Sequence, residues 1–519
     1  MATITKKQLD TKDFIERVVY AYNHGNADAD LDANLEVSRS IIPAATGAYR
    51  DFSYIAPEIP KFNLENCVGC MDCVTECPDT AILAKVITEK DLAQTTQEYA
   101  ANEKASIQGH WAKTTKYYDM YAKKGIEGGL FGIFIDPTKC KGCAECVTVC
   151  GSKQALEMIE KDDQNMEDIK MNFHYFSKKA PKTSDKYINE KLINDIMLKE
   201  ESLLYVGGAG SCMGCGEGTA LRMLMAVNGF FYGKENVGIV AATGCNTVYS
   251  STYPYNPFAT PWTNSLFENA AADALGVRMR WDQMGWQNKR LWVLGGDGAM
   301  MDIGFSSVSR LLTSGQDIKI FVMDTQVYSN TGGQASTASF SGQAAQMAAH
   351  GSSISGKVER RKEMALIATM HPHVFVAQTT AAHINHFYKA VQAANEFEGP
   401  ALINVYTTCQ PEHGVADDMA GSQAKLAVES RAFPLFVYDP RKGDSLKQRF
   451  NLAGNPNMKE DWAKDPKTGA EISFVDFART EGRFTKQFDK DGNPSAAILA
   501  SKEDRLKNWR LLQELAGVK

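Results

Sequence analysis

Short apolar runs alternate with amphipathic stretches between residues 200 and 430, and this is the clearest pattern in the chain. Five such runs have the length and continuous hydrophobicity of strands that are buried on both faces. They lie at residues 237–243, 291–296, 319–325, 373–379 and 401–407. Helical patterns such as F-S-S-V-S-R-L-L separate them. Strands that alternate with helices predict an α/β fold with a doubly wound parallel sheet.

The pattern changes along the chain and divides it into five predicted segments. These are a lead-in of weak periodicity, a cysteine-rich α+β domain with an insertion, a Lys-rich linker, the sheet domain, and a C-terminal arm that ends in a helix. Their predicted bounds are 1–55, 56–172, 173–200, 201–430 and 431–519.

Eight of the twelve cysteines form two runs with the spacing C-x2-C-x2-C-x3-C. This is the spacing of bacterial ferredoxins, in which three thiolates of a run hold one [4Fe–4S] cluster and the fourth ligates the other cluster. The predicted ligand sets are Cys67, Cys70, Cys73 and Cys150 for one cluster, and Cys140, Cys143, Cys146 and Cys77 for the other. Structural zinc also binds paired cysteines, but the doubled spacing disfavours it. Pro78 follows the first run, whereas Gly151 follows the second, a difference that we expect to affect the local backbone.

A glycine-rich turn follows the second predicted strand, in the segment G-G-D-G-A-M-M-D-I-G. Gly296 and Gly298 would let backbone N–H groups approach a diphosphate at the start of a helix. Asp297 between them offers a carboxylate to Mg²⁺. Such a turn is common by itself, but Thr325 ends the next predicted strand, and 26 residues separate it from Gly298. We therefore expect Thr325 to lie within reach of the same metal ion.

The remaining cysteines are Cys212, Cys215, Cys245 and Cys409. Cys245 and Cys409 each follow a predicted strand, so both should project from the same sheet end as Asp297. Taken singly, the C-x-x-C pair is also compatible with a redox dithiol or half of a zinc site. A lone cysteine after a strand is usually buried and inert.

These motifs together resemble the C-terminal portion of pyruvate:ferredoxin oxidoreductases, within the 2-oxoacid:ferredoxin oxidoreductase family. The segments that carry the resemblance include S-C-M-G-C-G-E, A-T-G-C-N, P-W-T-N-S-L-F-E-N and D-T-Q-V-Y-S-N-T-G-G-Q, between about residues 55 and 410. The resemblance implies a thiamine diphosphate-binding fold beside a two-cluster ferredoxin-like domain.

Specific roles also follow from the resemblance. Mg²⁺ would be held by Asp297, Thr325 and the backbone carbonyl of Val327, where thiamine enzymes usually have Asn in place of this threonine. Asn330 would lie beside the thiazolium and the substrate, and Glu217 would belong to the cofactor pocket. A third [4Fe–4S] cluster would be ligated by Cys212, Cys215, Cys245 and Cys409.

The implied activity is thiamine-dependent oxidative decarboxylation of pyruvate with CoA to acetyl-CoA and CO₂. Electrons would pass through three [4Fe–4S] clusters to ferredoxin or flavodoxin, and the reaction would be reversible. 2-Oxoglutarate, an aryl pyruvate or oxalate are the alternative substrates. Two other classes stay open: a non-catalytic iron–sulfur electron-transfer subunit, which intact Asp297, Thr325 and Asn330 disfavour, and a non-redox thiamine lyase.

Residues 1–55 carry no motif for activating the cofactor or binding CoA. We therefore expect a separate alpha-type subunit with the pyrimidine and CoA-binding domains, in a heterotetramer or larger assembly. The net charge of −6 argues against a nucleic-acid partner. An N-terminus without a signal-peptide core, and the lack of an apolar stretch of spanning length, lead us to expect a cytoplasmic protein with no membrane partner.

Overall fold

The computed structural model describes residues 10–31, 41–351 and 355–519, which fall into two compact units. The first unit comprises residues up to Ser211 together with 228–234 and 248–261, and the second comprises 212–227, 235–247 and 262–519. The predicted lead-in 1–55 lies partly outside the described residues. The segment bounds inferred from the sequence stay predictions.

The described residues of the first unit contain five short strands in two small antiparallel sheets. The strands are β1 (Glu58–Phe62), β2 (Ile82–Ile87), β3 (Trp111–Ala112), β4 (Leu130–Ile135) and β5 (Leu156–Glu160). β1 pairs with β5, and the second sheet has the order β2-β4-β3. Helices and shorter helical turns connect them: Thr11–Asp13, Phe14–Val19, Tyr20–Asn23, Ala27–Asp30, Thr46–Tyr49, Leu64–Asn66, Asp72–Glu76, Glu89–Thr95, Ala101–Gln108, Thr115–Asp119, Met120–Ala122, Glu145–Cys150, Gly151–Lys153, Asp163–Lys178, Asp185–Tyr187, Ile193–Ile196 and Glu200–Ser202.

Aromatic packing around β4 forms the core of this unit. Every residue of β4 is buried, and Phe134 stacks on Phe176 with ring centroids 4.9 Å apart. Phe176 belongs to the helix Asp163–Lys178, whose N-terminus is capped by Asp162 through the amide of Asn165. A helix with a capped start and an apolar face is stable where that face is buried. The stretch that follows this helix also contributes buried side chains, including Tyr187.

The second unit is built on a mixed eight-stranded sheet with the order β15-β14-β12-β13-β9-β8-β6-β7. Its central strands are β6 (Val237–Ala242), β8 (Arg290–Gly296), β9 (Lys319–Asp324), β12 (Phe375–Thr380) and β13 (Ala401–Tyr406), and β7 (Trp262–Ser265) lies at one edge; these six strands are mutually parallel. β14 (Phe436–Tyr438) and β15 (Phe450–Asn451) run antiparallel at the other edge. Two-stranded pairs lie outside this sheet: β10 (Ala349–His350) with β11 (Ser355–Gly356), and β16 (Ala463–Lys464) with β17 (Glu471–Ile472).

Every residue of β6, β9, β12 and β13 is buried, as expected for parallel strands covered on both faces. The prediction of an α/β fold with a parallel sheet and a separate α+β domain is confirmed. The helices and helical turns from residue 216 onward are Gly216–Tyr232, Lys234–Asn236, Cys245–Ser250, Ala270–Gln283, Gly298–Ile303, Phe305–Thr313, Met364–Ala368, Ile384–Glu396, Gln410–His413, Ala420–Glu429, Pro440–Lys442, Leu446–Arg449, Phe474–Arg479, Gly482–Gln487 and Ala496–Leu515. Across the described residues, no helix combines the length and apolarity needed to cross a bilayer.

Candidate active site

Four neighbouring strands of the second unit bring the predicted chemical groups to one edge of the sheet. β13, β9, β8 and β6 are adjacent and parallel, so their carboxyl ends lie side by side. In that order the strands are followed by Cys409, Thr325, Asp297 and Cys245. Ligand sites of open parallel sheets form at this edge. The arrangement agrees with the placement expected from the sequence.

Three oxygen-bearing groups at this edge converge on one another: the Asp297 carboxylate, the Thr325 hydroxyl and the Val327 carbonyl. The Asp297 Oδ1 atom accepts hydrogen bonds from the Thr325 backbone N–H at 3.2 Å and from the Thr325 Oγ1 hydroxyl at 3.1 Å. The same hydroxyl lies 3.1 Å from the Val327 carbonyl oxygen. A carboxylate, a hydroxyl and a carbonyl are hard oxygen donors of the kind that Mg²⁺ prefers. The donor set therefore fits the predicted metal, and its role as a ligand set stays a prediction.

Asp297 is fully buried, and its surroundings are polar. Burial, together with the nearby Asp324 carboxylate, raises the pKa of Asp297 to about 8. Asp324 itself is ion-paired with buried Arg361 and accepts a hydrogen bond from Asn404 Nδ2 at 3.1 Å. A bound cation would lower the pKa of Asp297 again, because the positive charge of the cation favours the ionised carboxylate.

A cavity of about 350 Å³ opens beside these oxygen atoms. Its lining includes five of the six predicted cofactor-binding residues, Glu217, Gly296, Gly298, Thr325 and Asn330, together with the predicted metal ligand Val327. The sixth, Asp297, is not among the lining residues. A side chain at Gly298 would place its Cβ 2.4 Å from the Tyr328 ring, so only glycine fits there. The turn after β8 thus keeps its backbone open toward the cavity, as a diphosphate site requires.

Cys212, Cys215, Cys245 and Cys409 are close enough to influence one another. Burial, followed by the Glu217 carboxylate, raises the pKa of both Cys215 and Cys245, and the other thiols add to the shift. Burial also raises the pKa of the Cys409 thiol to about 12. Catalytic or redox thiols have lowered pKa values, whereas coordination to a metal removes the proton outright. This environment therefore fits four cluster ligands better than a redox dithiol.

The two ferredoxin-type runs bring their cysteines into two groups. Cys67 and Cys73 lie close to Cys70 and Cys150, while Cys77 lies close to Cys140, Cys143 and Cys146. Burial raises the pKa of Cys67 to about 11 and that of Cys140 to about 12.

Within the described ranges, no three His, Cys, Asp or Glu side chains converge as a site for a single metal ion. A [4Fe–4S] cluster binds each thiolate through a different iron atom, so its four ligands stand around a larger group than one ion. The two cysteine sets have the composition that such clusters need, and ligation stays a prediction.

Sequence reasoning missed several residues that shape the site. Ser336 donates a hydrogen bond to Asp297 Oδ2 at 2.5 Å, and His413 Nε2 lies 2.8 Å from the Thr325 carbonyl oxygen. Buried Gln326 has a left-handed backbone conformation, with φ of 56°, and Arg483 donates to its side-chain oxygen at 3.1 Å. His413 stands four residues after Cys409, which is one helical turn, so its proximity could have been inferred. Nothing in the sequence pointed to Ser336 or Arg483.

Comparisons with known proteins identify two domains. The family described as "Thiamine pyrophosphate enzyme, C-terminal TPP binding domain" matches residues 242–405, and "4Fe-4S binding domain" matches residues 59–83. The pyruvate-flavodoxin oxidoreductase of Rhodospirillum rubrum is 27% identical over 89% of this chain and 42% of its own length. The pyruvate:ferredoxin oxidoreductase of Moorella thermoacetica is 26% identical over 99% of this chain and 46% of its own length. Among solved structures, a 2-oxoglutarate:ferredoxin oxidoreductase from Magnetococcus marinus has a TM-score of 0.34 and 21% identity, over 39% of this chain and 64% of that chain.

The chain thus spans less than half the length of these curated relatives. In each relative the matched region is part of one longer chain rather than a separate subunit. The expectation of a separate alpha-type subunit in a heteromeric assembly is therefore wrong. It arose because residues 1–55 carry no cofactor-activating motif, and that observation gives no information on how the rest of such an enzyme is connected.

Proposed function

Because this chain is a homologue of the pyruvate:ferredoxin and pyruvate-flavodoxin oxidoreductases, we propose that it acts in the oxidative decarboxylation of a 2-oxoacid. Pyruvate is the proposed substrate, CoA the acyl acceptor, and ferredoxin or flavodoxin the electron acceptor. The observation that carries the proposal is the sheet edge of the second unit. There Thr325 lines a cavity and donates hydrogen bonds to Asp297, and the strand ends on either side of these two residues lead to Cys245 and Cys409.

The side chains of the site have separate roles in this proposal. Asp297, Thr325 and the Val327 carbonyl would hold Mg²⁺, and the glycine turn would admit the diphosphate of thiamine diphosphate. That cofactor supplies an electron sink for decarboxylation of a 2-oxoacid. Exposed Asn330 would contact the substrate at the mouth of the cavity, and buried Glu217 would orient the cofactor.

The twelve cysteines would hold three [4Fe–4S] clusters. The ligand sets are those already described, two in the first unit and one beside the cavity of the second. Electrons released at the cavity would leave one at a time, since each cluster changes by one electron.

The proposal is tested with protein purified without air from its native cells, so that any further part of the enzyme is retained. We expect about twelve iron atoms per chain, bound thiamine diphosphate, and CoA-dependent reduction of a viologen dye with pyruvate. A panel that includes 2-oxoglutarate identifies the substrate. Zinc in place of iron, or the absence of thiamine diphosphate, would refute the proposed chemistry, and iron without thiamine diphosphate would favour an electron-transfer subunit.

A further inference from the structure

Lys153 contacts Cys70, a predicted cluster ligand, and the proposed function assigns no role to this lysine. Its Nζ atom lies 3.0 Å from the Cys70 sulfur and 3.3 Å from Asp72 Oδ2. Asp72 also accepts a hydrogen bond from Asn194 Nδ2 at 3.1 Å, and the same amide donates to the Cys70 carbonyl oxygen at 2.9 Å. The ammonium group is thus held on the sulfur by a carboxylate that is itself fixed in place.

The backbone after the second cysteine run brings Lys153 to this position. The helix Glu145–Cys150 ends at Gly151, which has φ of 55°, and a short helical turn over Gly151–Lys153 follows. Proline has φ fixed near −65° and could not adopt this conformation. Gly151 stands where the first cysteine run has Pro78. It is therefore the residue that allows the turn, and the turn directs Lys153 back toward Cys70.

The lysine next to the other ferredoxin-type cysteine set, which includes Cys140, has different contacts. Lys141, which adjoins Cys140 in the sequence, is buried and paired with Asp79 at 2.7 Å. Its Nζ atom also donates to the carbonyl oxygens of Ala209 and Ser211, at 2.9 Å and 2.8 Å. The charge of Lys141 is thus directed to oxygen atoms, whereas that of Lys153 is directed to a sulfur.

We propose that Lys153 raises the reduction potential of the cluster on Cys67, Cys70, Cys73 and Cys150. Net charge and hydrogen bonds to the sulfurs set the potentials of such clusters. Reduction adds one electron, so a positive donor on a ligand sulfur stabilises the reduced form more than the oxidised form. Lys153 is a tuning residue in this role and does not contact substrate. The inference rests on the proposed cluster ligation.

The test is a redox titration of the air-free holoprotein followed by electron paramagnetic resonance. For Lys153→Gln we expect the equilibrium constant for one-electron reduction of one cluster to fall about tenfold, a shift of about 59 mV toward negative potential. Lys153→Arg retains the charge and should restore most of the potential. Asp72→Asn removes the opposing charge and should shift the same signal toward positive potential.

The matched control is Lys61→Gln, which removes an exposed lysine paired with Glu157 at 3.7 Å on β1 and β5 of the same unit. It should leave all cluster potentials unchanged. If the cluster signals are intact and Lys153→Gln moves none of them, or moves them no more than Lys61→Gln does, the tuning role is wrong. If the unsubstituted protein shows no [4Fe–4S] signal, the proposed cluster ligation itself fails.

Discussion

At the scale of single residues, the site depends on a few buried polar atoms that are hydrogen-bonded to neighbouring side chains and backbone. Asp297 has both carboxylate oxygens engaged, one by Thr325 and the other by Ser336. Such a group is costly to bury unless its hydrogen bonds are complete or a cation neutralises it. The motif G-D-G identified Asp297, but Ser336 lies 39 positions further along the chain and no local pattern marks it.

Asp297→Asn tests the proposed metal site most simply. The amide retains the shape of the side chain but loses its charge, so we expect Mg²⁺-dependent binding of thiamine diphosphate to weaken by at least tenfold, on the order of 1.4 kcal/mol or more. Calorimetric titration measures this. Asp273→Asn, at an exposed position in the helix Ala270–Gln283, is the control and should bind normally. Equal binding by both variants would exclude Asp297 as a ligand.

His413 contacts both Thr325, a proposed metal ligand, and Cys409, a proposed cluster ligand. Its Nε2 must carry a proton, because the Thr325 carbonyl oxygen 2.8 Å away can only accept. Its Nδ1 then accepts from the Cys409 backbone N–H at 3.5 Å, and burial lowers the pKa of the imidazole, which keeps it neutral. We expect His413→Leu to cost about 1–3 kcal/mol of stability, since buried partners lose their hydrogen bonds.

The same variant shows whether His413 positions the groups of the site or only stabilises the fold. His413→Leu should weaken thiamine diphosphate binding and also change the electron paramagnetic resonance spectrum of the cluster that we propose Cys409 ligates. His413→Gln, which keeps one N–H donor, should recover part of both properties. A loss of melting temperature with an unchanged spectrum and unchanged cofactor affinity would show that His413 only supports the fold.

At the scale of elements, continuous apolar runs were sufficient to predict the five central strands. β6, β8, β9, β12 and β13 all lie within two residues of their predicted positions. The other strands of the sheet were not predicted. β7 is only partly buried and has the sequence W-T-N-S, and β14 and β15 have three and two residues, too short for a periodic signal.

The junction between β12 and the helix Ile384–Glu396 contains two histidines that should make the protein acid-sensitive. Nδ1 of His383 lies 2.9 Å from Thr380 Oγ1, and Nδ1 of His386 lies 2.9 Å from Thr379 Oγ1. Burial lowers the pKa of each imidazole to about 4. In the unfolded chain the histidine pKa has its ordinary value near 6.5. Between about pH 4 and 6.5 the unfolded chain therefore binds more protons than the folded protein.

Stability should consequently fall as the pH is lowered from 7 toward 5. Each histidine contributes roughly 1–2 kcal/mol to this loss at pH 5. The double variant His383→Gln/His386→Gln should show a smaller drop in melting temperature between pH 7 and pH 5.5 than the unsubstituted protein. An identical drop in both proteins would mean that these imidazoles do not account for acid sensitivity.

At the scale of the whole molecule, the sequence predicted the α/β sheet domain and the α+β domain, because apolar strand runs and cysteine spacing are local patterns in the chain. The ligand sets of the cysteines stay predictions. The sequence could not predict the buried network behind the cavity. Glu481 pairs with Arg483 at 2.5 Å, accepts from Tyr406 at 3.0 Å and lies 3.6 Å from His413. These contacts join residues up to 75 positions apart, which only the folded chain brings together.

The connection between the cofactor cavity and the four cysteines beside it is the central claim, and iron-edge anomalous diffraction from crystals grown without air tests it directly. We predict an anomalous peak among the sulfurs of Cys212, Cys215, Cys245 and Cys409, next to density for thiamine diphosphate at Asp297 and Thr325. Air-free crystals that contain iron in the first unit but no iron among these four sulfurs would contradict the account.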